Sequence, residues 1–166
     1  MNTKKIARIA ILIALAMVLS YVESLIPVFA AVPGMKLGLT NLVVLVALIY
    51  MDAGTALLVN VLRIVLVAFT FGNLFALLYS LAGGILSFVV MFILYKTGKF
   101  GAVGISAAGG VAHNAGQIIV AAFVLETSYI WGYMPILAIS GIAAGVIIGI
   151  LCGLVAKRIA PVVGEG

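Results

Sequence analysis

The chain has 166 residues, of which 66% are apolar and 8% charged, with a formal net charge of +5. A soluble domain carries roughly 25% charged residues, so this composition cannot cover a water-exposed surface. It excludes a secreted disulfide scaffold, a nucleic-acid-binding domain and a large cytosolic enzyme domain. The single cysteine, Cys152, also excludes an internal disulfide and a cysteine-based metal site. We therefore expect an all-α integral membrane protein.

Six apolar segments, separated by polar residues, glycine or proline, predict six transmembrane helices, because one crossing needs about 20 residues. The first segment ends at Pro27, the second at Asp52 and the fourth at Lys96. We find no linker or low-complexity tract, so residues 1–166 are expected to form one domain. The predicted spans are about 6–26, 37–51, 55–71, 74–95, 102–125 and 134–156.

The basic residues predict the orientation of these helices. With six crossings, both termini lie on the same side as the loops at Asp52 and Lys96, and seven of the nine basic residues fall there. Cytoplasmic loops are enriched in Lys and Arg, so we expect both termini in the cytoplasm. The N-terminus also has the form of a signal peptide, with Val28-Phe29-Ala30 in the cleavage position. Cleavage would remove the charge asymmetry, and we expect the first span to be retained.

Small residues recur every four positions on three predicted helices. Residues four apart share a face, and small faces let helices approach closely in lipid, where packing replaces the hydrophobic driving force. We expect internal packing for most of them, whereas the stripe on the first helix either packs internally or receives another subunit. The stripes are Ala10 and Ala14; Gly104, Ala108, Ala112 and Gly116; and Gly141, Gly145, Gly149 and Gly153.

Polar side chains inside a membrane are costly and usually mark a function or a satisfied pair. Asn60 and Arg63 share a face of the third helix, because they lie three positions apart. All carboxylates, including Glu23, are expected near helix ends, so Arg63 is expected to lack a protein counter-ion. Two alternatives stay open: Arg63 caps carbonyls or reaches the membrane interface, or it binds an anionic or carbonyl-rich ligand.

The ligand hypothesis gives a set of candidate binding residues. His113 belongs to it, although a neutral core histidine is an alternative, and the lack of a second histidine argues against a metal or haem site. Tyr129, Trp131 and Tyr133 fit an interfacial aromatic belt or a lid over the site. The predicted substrate-binding residues are Lys36, Asn41, Asn60, Arg63, Tyr79, His113, Asn114 and Gln117.

Catalysis is poorly supported by the sequence. The four acidic residues are scattered, so no carboxylate pair is available for acid–base chemistry or for Mg²⁺. A phosphate-binding glycine loop is also missing. We expect a transport or binding subunit that needs no cofactor and does not hydrolyse ATP itself.

Several segments resemble a known family. The run PGMKLGLTNL from Pro33 to Leu42 is similar to the start of the second helix in substrate-binding S components of energy-coupling factor (ECF) importers. With Arg63, Leu78–Gly84 and Gly104–Gln117, the whole chain resembles the Gx transporter family, also labelled heptaprenyl diphosphate synthase component I. The resemblance implies a six-helix S-component fold in a prokaryotic plasma membrane, with the ligand towards the outer face and residues 27–38 as a lid.

The resemblance also implies partners. A transmembrane coupling subunit would dock on Ala10 and Ala14, and a pair of cytoplasmic ATPases would supply energy. The cargo would be a small metabolite or vitamin, and flavin- or quinone-related compounds are one candidate because similar proteins are often encoded beside flavin-attachment or redox proteins.

The synthase label fits the residues poorly. Prenyl diphosphate synthases need aspartate-rich Mg²⁺ sites, and this chain has one aspartate, Asp52. Two alternatives therefore stay open beside the importer. One is a non-catalytic membrane component of heptaprenyl diphosphate or quinone synthesis, and the other is a membrane subunit of a flavin- or quinone-linked electron-transfer system.

Overall fold

The computed structural model describes residues 3–25 and 38–163, with side chains to residue 155. This part of the chain is helical and contains no strand, as predicted. The second helix begins at Asn41, later than predicted, and the sixth continues to Val163. The helices are α1 (Thr3–Ser24), α2 (Asn41–Tyr50), α3 (Ala53–Thr70), α4 (Leu74–Thr97), α5 (Ala102–Val124) and α6 (Met134–Val163), with a short 3₁₀ helix at Ser128–Tyr133 before α6.

Five helices, α1 and α3 to α6, are long and apolar enough to cross a membrane. The protein is therefore a multi-pass membrane protein. The exception is α2, whose 10 residues extend about 15 Å, roughly half the hydrocarbon core of a bilayer. The six predicted crossings stay a prediction, because α2 alone is too short for one.

Side-chain caps explain the tight connections on either side of α3. Asp52 accepts a hydrogen bond from the backbone N–H of Thr55 (2.7 Å), and Asn73 accepts one from Ala76 (2.8 Å) at the start of α4. Such caps satisfy N–H groups that the first helical turn leaves without partners. Lys5 also donates to Asp52 at 2.9 Å. This ion pair places the start of α1 and the α2–α3 junction at the same end of the bundle.

The centre of the bundle is α2, which contacts each of the other five α-helices. Seven of its ten residues are buried, and the apolar ones pack with Met91 of α4, Ile105 of α5 and Cys152 of α6. By contrast, α1 contacts only α2 and α3 among the described helices. A helix that is apolar on all sides fits the inside of a bundle, and the arrangement brings the start of α2 into the interior.

Glycines let α5 and α6 pack backbone to backbone. A Cβ added to Gly145 would lie 2.5 Å from the Cα of Ala107, and one on Gly141 would lie 2.8 Å from the carbonyl carbon of Gly110. The prediction of internal packing is thus confirmed for Gly141, Gly145 and Gly149 of α6. A Cβ added to Gly153 would meet no atom of the described residues outside its own helix within 4 Å. On α5, Gly116 packs against α4 and not against α6. The face of α5 towards α6 includes Ala107 and Gly110.

Candidate functional site

Buried polar side chains gather at one depth on four helices. Counting 1.5 Å per residue from the helix ends at Asp52, Thr97 and Gly101, these side chains lie about 15–18 Å into the bundle. The hydrocarbon core of a bilayer is about 30 Å thick, so this level is close to its middle. The residues at this depth are Asn41 of α2, Arg63 of α3, Ser87 of α4 and His113 of α5, each buried. We call them, with Glu23, Asn60 and Gln117, the polar cluster.

Arg63 is held by its neighbour on α3. The side chain is 2% exposed, and one terminal nitrogen donates to Oδ1 of Asn60 at 2.9 Å. Asn60 in turn donates to the carbonyl of Gly84 on α4 at 2.9 Å. Nε of Arg63 has no hydrogen-bond partner among the described residues. The guanidinium is therefore oriented by Asn60, while part of its donor capacity is left over.

Glu23 corrects the expectation that Arg63 lacks a nearby carboxylate. The side chain is 3% exposed and attracts Arg63 electrostatically. Its Oε1 accepts hydrogen bonds from the backbone N–H groups of Gly38 and Leu39, the latter at 3.2 Å. The expectation considered only the position of Glu23 near the end of α1. Its carboxylate instead meets the backbone just before α2, which begins inside the bundle.

His113 lies between the start of α2 and the middle of α4. A Cβ added to Gly38 would be 3.2 Å from Cδ2 of the ring, and one added to Gly83 would be 3.1 Å from Cε1. Nε2 of the ring lies 3.2 Å from Nε2 of Gln117. Because an amide nitrogen only donates, this contact is a hydrogen bond when the imidazole proton is on Nδ1. The two glycines make room for the ring.

The remaining predicted residues divide between the cluster and other places. Asn41 belongs to it, since its amide donates to Oγ of Ser87 at 2.9 Å. Asn114 instead donates to the carbonyl of Leu137 on α6 at 2.7 Å and ties α5 to α6. Tyr79 is buried in a separate apolar group with Ile118, Ala121, Ile130 and Leu137.

The predicted docking residues and the aromatic residues lie away from the cluster. Lys36 is outside the described residues, so its position relative to the cluster is not described. Ala10 and Ala14 are exposed on the outer face of α1, where another subunit would reach them. The aromatic residues Tyr129, Trp131 and Tyr133 are also exposed, as both the belt and the lid hypotheses require.

Sequence reasoning missed Glu23 and Ser87. A signal for Glu23 was present, because it shares one face of α1 with Ile9, Ala16 and Ser20, and all four are buried. A single carboxylate on the face that packs inward is expected to meet a partner. Ser87 had no comparable signal, since serine in a membrane helix often bonds to its own backbone.

No three metal-binding side chains (His, Cys, Asp or Glu) come together in residues 3–25 and 38–155. The polar cluster instead combines one guanidinium, amide groups, an imidazole, a hydroxyl and the carboxylate of Glu23, which accepts from two backbone N–H groups. Its guanidinium and amide groups can donate to oxygen atoms of an organic ligand.

Fold and cluster together define a multi-pass helical membrane protein with a polar site buried at mid-depth. The family model described as heptaprenyl diphosphate synthase component I matches residues 12–155. The chain belongs to this family, and the family named from the sequence motifs is confirmed. No curated protein and no solved structure matches the chain.

Proposed function

We propose that the chain is the membrane-embedded substrate-binding subunit of an ECF-type importer for a small metabolite or vitamin, and not an enzyme. The observation that carries the proposal is the buried Arg63, which donates to Asn60 and lies at the same depth as the amide and imidazole groups of α2 and α5. Charged and polar side chains inside a membrane are costly to bury. An arrangement that costs stability is therefore best explained by ligand binding.

The depth of the cluster supports binding over passive structure. Ligand sites of membrane transporters commonly lie near the middle of the bilayer, where the ends of short helices meet charged or polar ligand groups. Here the short α2 begins at this depth, and Glu23 accepts hydrogen bonds from the two residues that precede Thr40 at its start. The proposed ligand contacts are Glu23, Asn41, Asn60, Arg63, His113 and Gln117.

The proposal includes a topology. Six crossings with both termini in the cytoplasm, in a prokaryotic plasma membrane, agree with the ion pair between Lys5 and Asp52, since both residues then lie at the cytoplasmic end. A coupling subunit would dock on Ala10 and Ala14, which are exposed, and cytoplasmic ATPases would complete the importer.

Copurification of tagged variants from the native membrane tests the proposal. Ala14→Leu adds bulk to an exposed face of α1 and should abolish recovery of a transmembrane partner and its ATPases, because close approach of helices requires small residues. Ala143→Leu is the matched control, since Ala143 is exposed on α6. Failure of the unaltered chain to retain such partners would refute the importer.

A second candidate is a non-catalytic membrane component of heptaprenyl diphosphate synthesis, and the family description favours it. In this case the chain binds the soluble synthase and delivers or removes a prenyl compound at the membrane. Adding the purified chain in lipid to that synthase should change its rate or the length of its product. An unchanged rate and length would exclude this function.

A further inference from the structure

The carboxylate of Glu23 sits where helices usually bind anions. It accepts hydrogen bonds from the N–H groups of Gly38 and Leu39, which immediately precede α2. The N-terminus of a helix carries a partial positive charge and free N–H groups, so it attracts carboxylates and phosphates. Arg63 adds a full positive charge from α3. One carboxylate therefore receives backbone hydrogen bonds and attraction from a buried guanidinium.

Two buried donors, one on Thr40 and one on Arg63, have no hydrogen-bond partner within the described part of the chain. Thr40, the residue before α2, is fully buried, makes no side-chain cap and leaves Oγ1 without a hydrogen-bond partner. Nε of Arg63 is also buried and has no hydrogen-bond partner among the described residues. Buried polar groups usually have partners, because leaving one without a partner costs about 1–3 kcal/mol. Both groups can donate to an oxygen atom of a ligand.

We propose that Glu23 occupies the position taken by the carboxylate of the ligand, so that binding exchanges one carboxylate for another at the start of α2. This inference rests on the proposed binding function and narrows its substrate class to molecules that carry a carboxylate. Like charges in one buried site repel strongly. The incoming carboxylate therefore displaces Glu23 from the two N–H groups and takes over its attraction to Arg63.

The exchange explains how a site with one buried carboxylate and one buried guanidinium accepts an anion. Before binding, Glu23 compensates Arg63, which avoids an isolated buried charge. After binding, the carboxylate of the ligand compensates the charge of Arg63, and the hydroxyl group of Thr40 gains an acceptor. The binding free energy is reduced by the cost of displacing Glu23, which favours release once the site opens to the cytoplasm.

Chemical rescue of a truncated variant tests the exchange. Glu23→Ala deletes Cγ and the carboxylate, and acetate consists of the same atoms. Acetate should raise the thermal unfolding temperature of purified full-length Glu23→Ala, with a rise that grows with the logarithm of its concentration. Acetamide, which has the same shape without charge, should give a several-fold smaller rise. Equal effects of acetate and acetamide would overturn the proposal.

Matched variants locate the acetate. Glu126→Ala removes the same atoms from an exposed residue at the end of α5, so acetate and acetamide should affect it equally. Adding Arg63→Gln to Glu23→Ala should abolish the rescue by acetate, and persistence of the rescue would place acetate elsewhere and overturn the proposal. If Glu23→Ala does not fold, Glu23→Gln replaces it. Its neutral side chain is displaced more easily, so acetate should stabilise it more than it stabilises the unaltered chain, and equal stabilisation would overturn the proposal.

These measurements use the isolated chain and are independent of the copurification experiment. A chain that binds acetate at Glu23 but has no ATPase partner would retain the site and refute only the importer. A chain that copurifies with partners but shows no preference for acetate over acetamide would retain the importer and refute the exchange.

Discussion

Gly141, Gly145 and Gly149 of α6 pack against the backbone of α5, and we call this contact the glycine seam. A substitution in the seam should lower the free energy of unfolding. In Gly145→Ala, the added Cβ would lie 2.5 Å from both the Cα of Ala107 and the carbonyl oxygen of Ser106. Ordinary carbon–carbon contacts are about 3.5–4.0 Å, so the two helices must separate by about 1 Å. Both contacts are backbone atoms, which cannot move aside as the end of a flexible side chain can.

Separation of the helices loses packing along the whole seam. Overpacked cores typically lose about 1–3 kcal/mol, and we expect Gly145→Ala to fall in the upper half of this range. Hydrophobic gain from the extra methyl group does not compensate, because lipid is as apolar as the helix interface. The seam lies beside the hydrogen bond between Asn114 and Leu137, which should weaken as well.

Reversible unfolding in mixed detergent micelles measures this free energy. Gly153→Ala is the matched control, because Gly153 lies two turns further along α6 and the added Cβ would meet no atom of the described residues outside its own helix within 4 Å. Its stability should stay within about 0.5 kcal/mol of the unaltered chain, or rise slightly with the better helix propensity of alanine. Equal free energies of unfolding for Gly145→Ala and Gly153→Ala would show that α5 and α6 do not pack through this seam.

Two further predictions concern the ionic contacts. Arg63→Gln should lower the free energy of unfolding by about 1–3 kcal/mol, because it removes the hydrogen bond to the buried Asn60 and the attraction to Glu23, and adding Glu23→Gln should recover part of this loss; additive losses in a double-mutant cycle would contradict the coupling. At the end of the bundle, the hydrogen bond from Lys5 and those from Thr55 lower the pKa of Asp52 from 3.8 to about 2. Because the folded-state pKa is depressed, this stabilisation is fully present above about pH 3.8 and is lost as the pH falls towards 2. The difference in thermal unfolding temperature between the unaltered chain and Asp52→Asn should therefore be constant near neutral pH and shrink only below pH 3.8; a difference that changes between pH 6 and 8 would assign it to another group.

Much of the architecture could be read from the sequence. The apolar runs gave the helices because a bilayer tolerates only backbones that satisfy their own hydrogen bonds, and the predicted breaks at Asp52 and Lys96 correspond to the N-cap of α3 and the last turn of α4. Hydropathy does not report where a helix begins inside a protein. The start of α2 at Asn41 therefore differed from the expected position, because protein, not lipid, surrounds that end.

The candidate site was only partly predictable. Asn60, Arg63, His113 and Gln117 were found from their spacing, since residues three or four apart on a helix share a face. Asn114 directly follows His113 in α5, so the two side chains point to different neighbouring helices. The spacing predicts that they diverge, but it does not say which helices lie beside α5. Glu23 was judged by its distance from the helix end, whereas its contacts depend on the direction of its side chain.

The sequence by itself determined that this protein is a helical membrane protein and which side chains are too polar for lipid, because composition and hydrophobic periodicity are local properties. Only the tertiary structure decided which of these side chains meet. Glu23 and Arg63 are 40 positions apart, and their attraction exists because α1 packs on α3 while α2 begins between them. Contacts between distant segments depend on how helices tilt and pack, and this geometry cannot be inferred from the local sequence around each residue.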